Sequence, residues 1–256
     1  MDMGLAGKTA VVTGGSRGIG RATAFVLAEE GCRVGICARG EEQLQSTLDE
    51  LRSVAPMAWG RTADVTDAAA LEGFVSGAAD QLGGIDVLVC NEGGARGGAT
   101  LEATDEEWHA TLEVNLMHAV RAIRAAVPHM KGRGGGSIVI VSSISGWKPG
   151  PHGQYGAAKA AEIFLSSTLA WELAEHHIRV NTVCPGSIYF AGGGWATFET
   201  EEPELYGAFL ENELAGLTAQ FNRSGRTAAE PMPYLAALIC CSAFDLALHD
   251  AFGKLV

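Results

Sequence analysis

The run Gln154-Tyr155-Gly156-Ala157-Ala158-Lys159 sets a phenol and an ammonium four residues apart. On a helix, positions i and i+4 share a face, so the two groups would stand side by side. A free phenol titrates near ~10 and trades protons poorly at neutral pH. A cation within a few ångströms favours the phenolate and brings such a group toward the working range of a general acid or base. Just upstream, Ser142-Ser143 offers hydroxyls that could hold a substrate oxygen. A tyrosine and a lysine at this spacing also occur on ordinary exposed helices, so the pair gains meaning from its surroundings.

A second chemical signal is Thr13-Gly14-Gly15-Ser16-Arg17-Gly18-Ile19-Gly20. It follows the apolar run Thr9-Ala10-Val11-Val12 and precedes a segment of helical periodicity, residues 21–30. Strand, glycine turn and helix form the context of a dinucleotide fingerprint. Glycines let the backbone turn tightly and approach a pyrophosphate, and a helix N-terminus supplies free N–H groups and a positive dipole end. The spacing Gly-x-x-x-Gly-x-Gly is one residue wider at the front than the common Gly-x-Gly-x-x-Gly.

These groups need a scaffold, and the chain reads as a strict alternation. Strands are expected near 8–13, 33–38, 57–63, 85–91, 137–143 and 178–184, with helices over 18–30, 41–53, 67–82, 105–131 and 153–176. The glycine-rich patches 93–98, 132–136 and 192–194 read as loops. This pattern predicts an α/β fold: a three-layer, doubly wound parallel sheet of Rossmann type, in one domain spanning 1–256. Ligands bind such sheets at the C-terminal strand ends, where every motif above falls. Hydrophobic residues at 47% against 19% charged leave enough apolar surface for a full core. The net charge, 18 − 30 = −12, without a basic run, argues against a nucleic-acid partner. No apolar stretch approaches the ~20 residues of a membrane span, and the N-terminus lacks a charged-then-apolar leader. The expectation is a cytoplasmic protein. Six cysteines, at 32, 37, 90, 184, 240 and 241, lack metal-ligand spacing and read as small buried residues, with no metal site expected.

With both motifs in place, the chain resembles the short-chain dehydrogenase/reductases in their compact single-domain branch, similar to 3-oxoacyl-acyl-carrier-protein reductases. Further motifs follow in family order: Asp64-Val65 after the third strand, Asn91 with Gly93 after the fourth, Asn115 in the next helix, Ser143 before Gly146, and Pro185-Gly186 after strand 178–183. The resemblance runs from residue 5 to about 195. It implies hydride transfer between a nicotinamide and a ketone or secondary alcohol, with Tyr155 as general acid/base. Lys159 would support Tyr155 and hold the nicotinamide ribose, Ser143 would bind the substrate oxygen, and Asn115 would kink its helix and support a water chain. Cofactor contacts are implied for Gly14, Ser16, Arg17, Gly18, Ile19, Gly20, Arg39, Asp64 (the adenine amino group), Val65, Asn91, Gly93, Tyr155, Lys159, Pro185, Gly186 and Ile188. The family's Ser-x-x-Gly pattern selects Ser143, whereas its usual spacing to the tyrosine would select Ser142. The local turn is the tighter constraint, because a one-residue deletion before Gln154 is easily absorbed.

The end of the second strand, Val34-Gly35-Ile36-Cys37-Ala38-Arg39, speaks to cofactor choice. An NAD site would place Asp or Glu there for the ribose hydroxyls. Arg39, with Arg17 in reach, suits the 2′-phosphate of NADP instead. The alternative is a solvated Arg39 paired with Glu41 or Glu42.

Two departures from the family stand out. Its Asn-Ala-Gly is here Asn91-Glu92-Gly93, a carboxylate that would repel the cofactor's phosphates unless it turns away or pairs with Arg96. The tail, 222–256, is atypical: Gly225-Arg226 through Pro231 only echoes the family's segment and no seventh strand is visible. Residues 242–254 instead read as an amphipathic helix, similar to one in the capping domain of mandelate-racemase-like enolase-superfamily proteins. The aromatics Tyr189, Phe190, Trp195, Phe198, Tyr206 and Phe209 suggest an apolar lid, or simply the packing of helices in that insert. A small or hydrophobic ketone, or a 3-oxoacyl group, fits this lining. A cofactor-binding pseudoenzyme or sensor is the second reading, and a non-redox lyase or dehalogenase the third. The family's habit of pairing through the helices around its site implies a homodimer or homotetramer. Phe164, Leu165 and Leu169 are expected to lie outside the core-facing stripe.

Overall fold

A computed structural model describes residues 3–150 and 152–211, which fall into two compact units, 3–185 and 186–211. The first unit is built on six parallel strands: β1 (Thr9–Thr13), β2 (Arg33–Ala38), β3 (Trp59–Thr62), β4 (Val87–Cys90), β5 (Gly136–Val141) and β6 (Ile178–Val183). Their spatial order is β3-β2-β1-β4-β5-β6. The order reverses between β1 and β4, where Ala10, Val11 and Val12 register with Val87, Leu88 and Val89. That switch opens a crevice above the strand ends, the place where such sheets bind ligands.

The inner strands β1, β2, β4 and β5 are buried on both faces, so their successive side chains alternate between two cores, whereas the edge strand β3 is partly exposed. Val11, Leu88, Ile138 and Ile140 face one side, with α3 (Ala68–Leu82), α5 (His118–Gly132) and α6 (Gly153–Leu173) packed over them. Ala10, Val12, Val34, Ile36, Val89 and Val139 face the other, against α1 (Gly18–Glu29) and α2 (Glu41–Arg52). Phe74 and Trp59 stack at 6.0 Å in the first core. Cys32, Cys37 and Cys90 are free and buried among these residues, as small apolar groups would be.

Helix starts follow local chemistry. Asp67 caps α3 by accepting from the Ala69 and Ala70 N–H groups at 2.9 and 3.0 Å. A reciprocal Thr104–Glu107 capping box opens α4 (Asp105–Leu112). The expected single helix over 105–131 is interrupted: a π-helical turn, Glu113–Met117, separates α4 from α5. The cause is Asn115, whose Nδ2 donates to the Thr111 carbonyl at 2.7 Å and so occupies an acceptor of the helix ladder.

On α6 the sequence expectation for Leu165 and Leu169 is corrected. Both pack against the first core, because spacing i, i+4 places them on the same face as Leu173. The outward face carries Phe164 and Trp171, 75% and 82% exposed.

The second unit holds α7 (Gly194–Glu201) and a further helical segment beginning at 203. Its aromatics pack on one another: Trp195 stacks on Phe209 at 4.7 Å, and Phe198 meets Tyr206 edge-on at 5.7 Å. Tyr189 Oη donates to Glu199 Oε2 at 2.7 Å. No helix among the described residues is long and apolar enough to cross a membrane. The tail features, including the seventh strand, Cys240-Cys241 and the stretch 242–254, lie outside the described residues.

Candidate active site

The glycine turn after β1 is held rather than loose. Gly14 takes a left-handed φ of 65°, a conformation costly for a residue with a Cβ. Asn91 clamps the turn by donating its Nδ2 to the Thr13 and Gly14 carbonyls at 3.1 and 3.2 Å. Gly15 N–H donates to the Cys37 carbonyl at 2.9 Å, tying the turn to β2. A Cβ on Gly20 would run into the Gly14 carbonyl and come within 2.5 Å of Asn91 Nδ2, so α1 can approach the turn only there as glycine. Ser16 is buried, Ile19 packs on the second core, and Arg17, exposed, stands at the start of α1, which no side chain caps. The first turn of α1, with Gly18, therefore keeps its N–H groups available for an anion.

Beside this turn opens a cleft of about 380 Å³, lined by Gly14, Ala38, Arg39, Asp64, Val65, Glu92 and Arg96 among others. Arg17 is not part of that lining, and Arg96 stands there with Arg39. Asp64 accepts from the Thr66 N–H and hydroxyl at 2.9 and 2.7 Å. These bonds, reinforced by the charges of Arg39 and Arg96, hold its carboxyl below the ordinary range. Glu92 lies with its carboxylate against Gly14, where a Cβ would collide with it. The Arg96 guanidinium donates to the Ala95 carbonyl at 3.0 Å. Donors fit the adenosine and phosphate half of a dinucleotide, with Glu92 and Glu113 as adverse charges in the lining.

The catalytic candidates converge on α6. Tyr155 is half-buried, and Lys159 Nζ lies 5.7 Å from its ring centroid. Lys159 is buried and donates to the Val141 carbonyl at 2.9 Å and to Glu162 Oε1 at 3.1 Å. Ser142 is buried too, its hydroxyl donating to the Lys159 carbonyl at 2.8 Å. Ser143 is half-buried and accepts from the Ser145 N–H at 3.1 Å, opening the 3₁₀ turn Ile144–Gly146. That turn sits directly on α6, since a Cβ on Gly146 would lie 2.9 Å from the Lys159 carbonyl carbon and 2.8 Å from Ile163 Cδ1.

Asn115 is fully buried and joins the loop after β4, donating to the Gly94 carbonyl at 2.9 Å and accepting from its N–H at 3.1 Å. A Cβ on Gly93 would meet Asn115 Oδ1 at 2.5 Å and Lys159 Nζ at 3.1 Å, so these three groups share one spot. Pro185 closes the first unit, its carbonyl accepting from Ile144 N–H at 3.1 Å, and Gly186 and Ile188 open the second. Among the described residues no cluster of His, Cys, Asp or Glu is placed to hold a metal ion.

Three residues at this centre escaped the sequence reading. Gln154 Nε2 donates to the Arg96 and Gly98 carbonyls at 2.9 and 3.0 Å and fastens the 93–98 loop to α6. Glu162 pairs with Lys159, and the i, i+3 spacing in an otherwise apolar stretch was its signal. His118 stands fully buried with Nε2 2.8 Å from Thr13 Oγ1, a contact across 105 residues that no local pattern announces.

A family model described as short chain dehydrogenase matches residues 8–198. Dehydrogenase/reductase SDR family member 4 of Homo sapiens is 38% identical over 202 residues, covering 77% of this chain and 73% of its own. NAD⁺-bound xylitol dehydrogenase superposes with a TM-score of 0.68 at 33% identity, over 71% of each chain. A 7α-hydroxysteroid dehydrogenase complexed with NADH and 7-oxo glycochenodeoxycholic acid gives a TM-score of 0.69 at 28% identity, over 72% of each chain. The chain belongs to the short-chain dehydrogenase/reductase family. It is accordingly an NAD(P)-dependent oxidoreductase.

His118 makes stability at the site pH-dependent. Burial, aided by the Lys159 charge, lowers its pKa from 6.5 to about 3. Below 6.5 the unfolded chain takes up a proton that the folded protein refuses, so stability falls as pH drops toward about 3. The loss between pH 7 and pH 5 should be roughly 2 kcal/mol from this group. Urea unfolding of His118→Gln should show a correspondingly flatter pH dependence than the wild type, and equal slopes would refute the assignment.

Proposed function

We propose that the chain interconverts a ketone and a secondary alcohol, with Tyr155 as general acid/base and NADP(H) as the preferred cofactor. The bound nicotinamide supplies or accepts the hydride. Tyr155 gives its phenolic proton to the substrate oxygen in reduction and takes it back in oxidation. Lys159 places a cation beside that phenol and favours its ionised form. Ser143 donates to the substrate oxygen and offsets its developing charge; in support, the Ser142 hydroxyl is already committed to α6. Asn115 keeps the loop after β4 and the π turn in register with Lys159.

The observation that carries this reading is the Tyr155–Lys159 pair, 5.7 Å from ring centroid to Nζ, on the helix that also seats the serine turn. The solved relatives are named as dehydrogenases of a hydroxysteroid and of xylitol, and the first holds a 7-oxo ligand, which supports an alcohol–carbonyl substrate pair here. For the cofactor, support comes from Arg39, just after β2, and Arg96, which line the same cleft. Glu92 works against phosphate binding, and these two relatives carry NADH and NAD⁺. Assembly as a dimer through the outer face of α6 is supported by Phe164 and Trp171, two exposed aromatics one heptad apart.

NADPH oxidation against a ketone panel, run beside NADH, tests the whole reading. Tyr155→Phe should lower kcat by at least ~10²-fold while cofactor affinity stays nearly constant; retention of a tenth of the activity would sink the role. Arg39→Asp should shift the NADPH/NADH ratio of kcat/KM toward NADH by about 10- to 100-fold, the scale of one charged hydrogen bond. A wild type that already prefers NADH tenfold would overturn the NADP assignment. Replacing both Phe164 and Trp171 by Glu should halve the mass seen by light scattering, and an unchanged mass would place the interface elsewhere.

A further inference from the structure

Lys159 and Glu162 sit one turn apart on α6, 2% and 1% exposed. The ammonium lies 3.1 Å from Glu162 Oε1 and 3.0 Å from Oε2, and it also donates to the Val141 carbonyl at 2.9 Å. The Ser142 hydroxyl also borders the carboxylate. Burial pushes the Glu162 carboxyl above its ordinary value, against the pull of the lysine.

A lone buried cation acts on a neighbouring phenol as a point charge. A cation with a carboxylate at 3 Å acts more nearly as a dipole, and its influence falls off faster with distance. Other groups that face the pair are Tyr155 on the same helix, Cys90 at the end of β4, His118 at the start of α5, and Cys184 after β6. Burial raises both thiols and lowers His118, so these three stay uncharged near neutral pH. The charge that Tyr155 meets in this core is therefore that of the lysine and its partner.

We propose that Glu162 is a positioning residue: it fixes the Lys159 ammonium at the end of β5 and partly screens its charge from Tyr155. The acidity of the tyrosine is then set by a Lys–Glu pair rather than by lysine alone. This rests on the reading of Tyr155 as the acid/base, and the experiment is chosen to work without turnover.

The ionisation of Tyr155 is read in the free protein from phenolate absorbance, as the difference between each form and its Tyr155→Phe counterpart. Glu162→Gln should move the Tyr155 signal about one pH unit lower than in the wild type, because the unscreened cation favours the phenolate. Glu162→Asp, which keeps the charge but withdraws it, should move it in the same direction by less. In alcohol oxidation the acid limb of the rate profile should move likewise. A folded Glu162→Gln protein whose Tyr155 titrates as in the wild type overturns the proposal while leaving the catalytic role of Tyr155 standing. If Glu162→Gln does not fold, the Glu162→Asp titration decides: a downward shift supports the screening and none overturns it. Inactivity toward every ketone would count against the proposed function, and the titration would still be readable.

Discussion

An ammonium buried inside a protein is the constraint around which this site is arranged. An isolated cation moved out of water costs several kcal/mol, and the cost is offset only by good partners in fixed geometry. Lys159 meets it with Glu162 from its own helix and the Val141 carbonyl from the end of β5. The strand end, α6 and the loop after β4 must therefore meet at one point. Gly93 leaves the space for that meeting, since a Cβ there would press on both Lys159 Nζ and Asn115 Oδ1. Loss of any one partner would leave charge or polar groups unpaired in a dry environment, which explains why so many hydrogen bonds close around this spot.

The loop after β4 shows how that arrangement propagates. Asn115 bonds both polar groups of Gly94, while Thr111 accepts from Arg96 N–H at 3.0 Å and Gln154 holds the Arg96 and Gly98 carbonyls. The backbone groups of this partly exposed loop need partners where water does not reach them, and side chains from α4, the π turn and α6 provide them. The price is a widened helical turn at Glu113–Met117, taken where Asn115 diverts a carbonyl from the helix ladder.

Electrostatics in the neighbouring cleft are mixed rather than uniformly basic. Arg39 and Arg96 line the cleft of about 380 Å³ together with Asp64, Glu92 and Glu113, the last paired with Arg121, in a chain whose net charge is −12. An anionic ligand must be received by local groups, namely the turn N–H groups of α1 and the two guanidiniums, against the field of the whole. Glu92, beside Gly14, makes this balance closer than a small apolar residue would.

By itself the sequence determined the parallel six-stranded sheet, its helices and the loops at their ends. Burial on both faces writes short apolar runs that alternate with helical periodicity, and both signals are local. The same locality made the glycine turn, Tyr155 with Lys159, and the Ser143-to-Gly146 turn legible, because each is a spacing within one element. The tertiary structure decided what depends on contact between distant elements. It split 105–131 at a π turn, turned Leu165 and Leu169 inward, brought Arg96 to the cleft lining, and buried His118 against Thr13. Glu162 lies between the two cases: its spacing from Lys159 was visible, but its meaning came only from burial. A carboxylate three residues from a lysine is ordinary on a wetted helix, and becomes a determinant of local charge only where water is excluded.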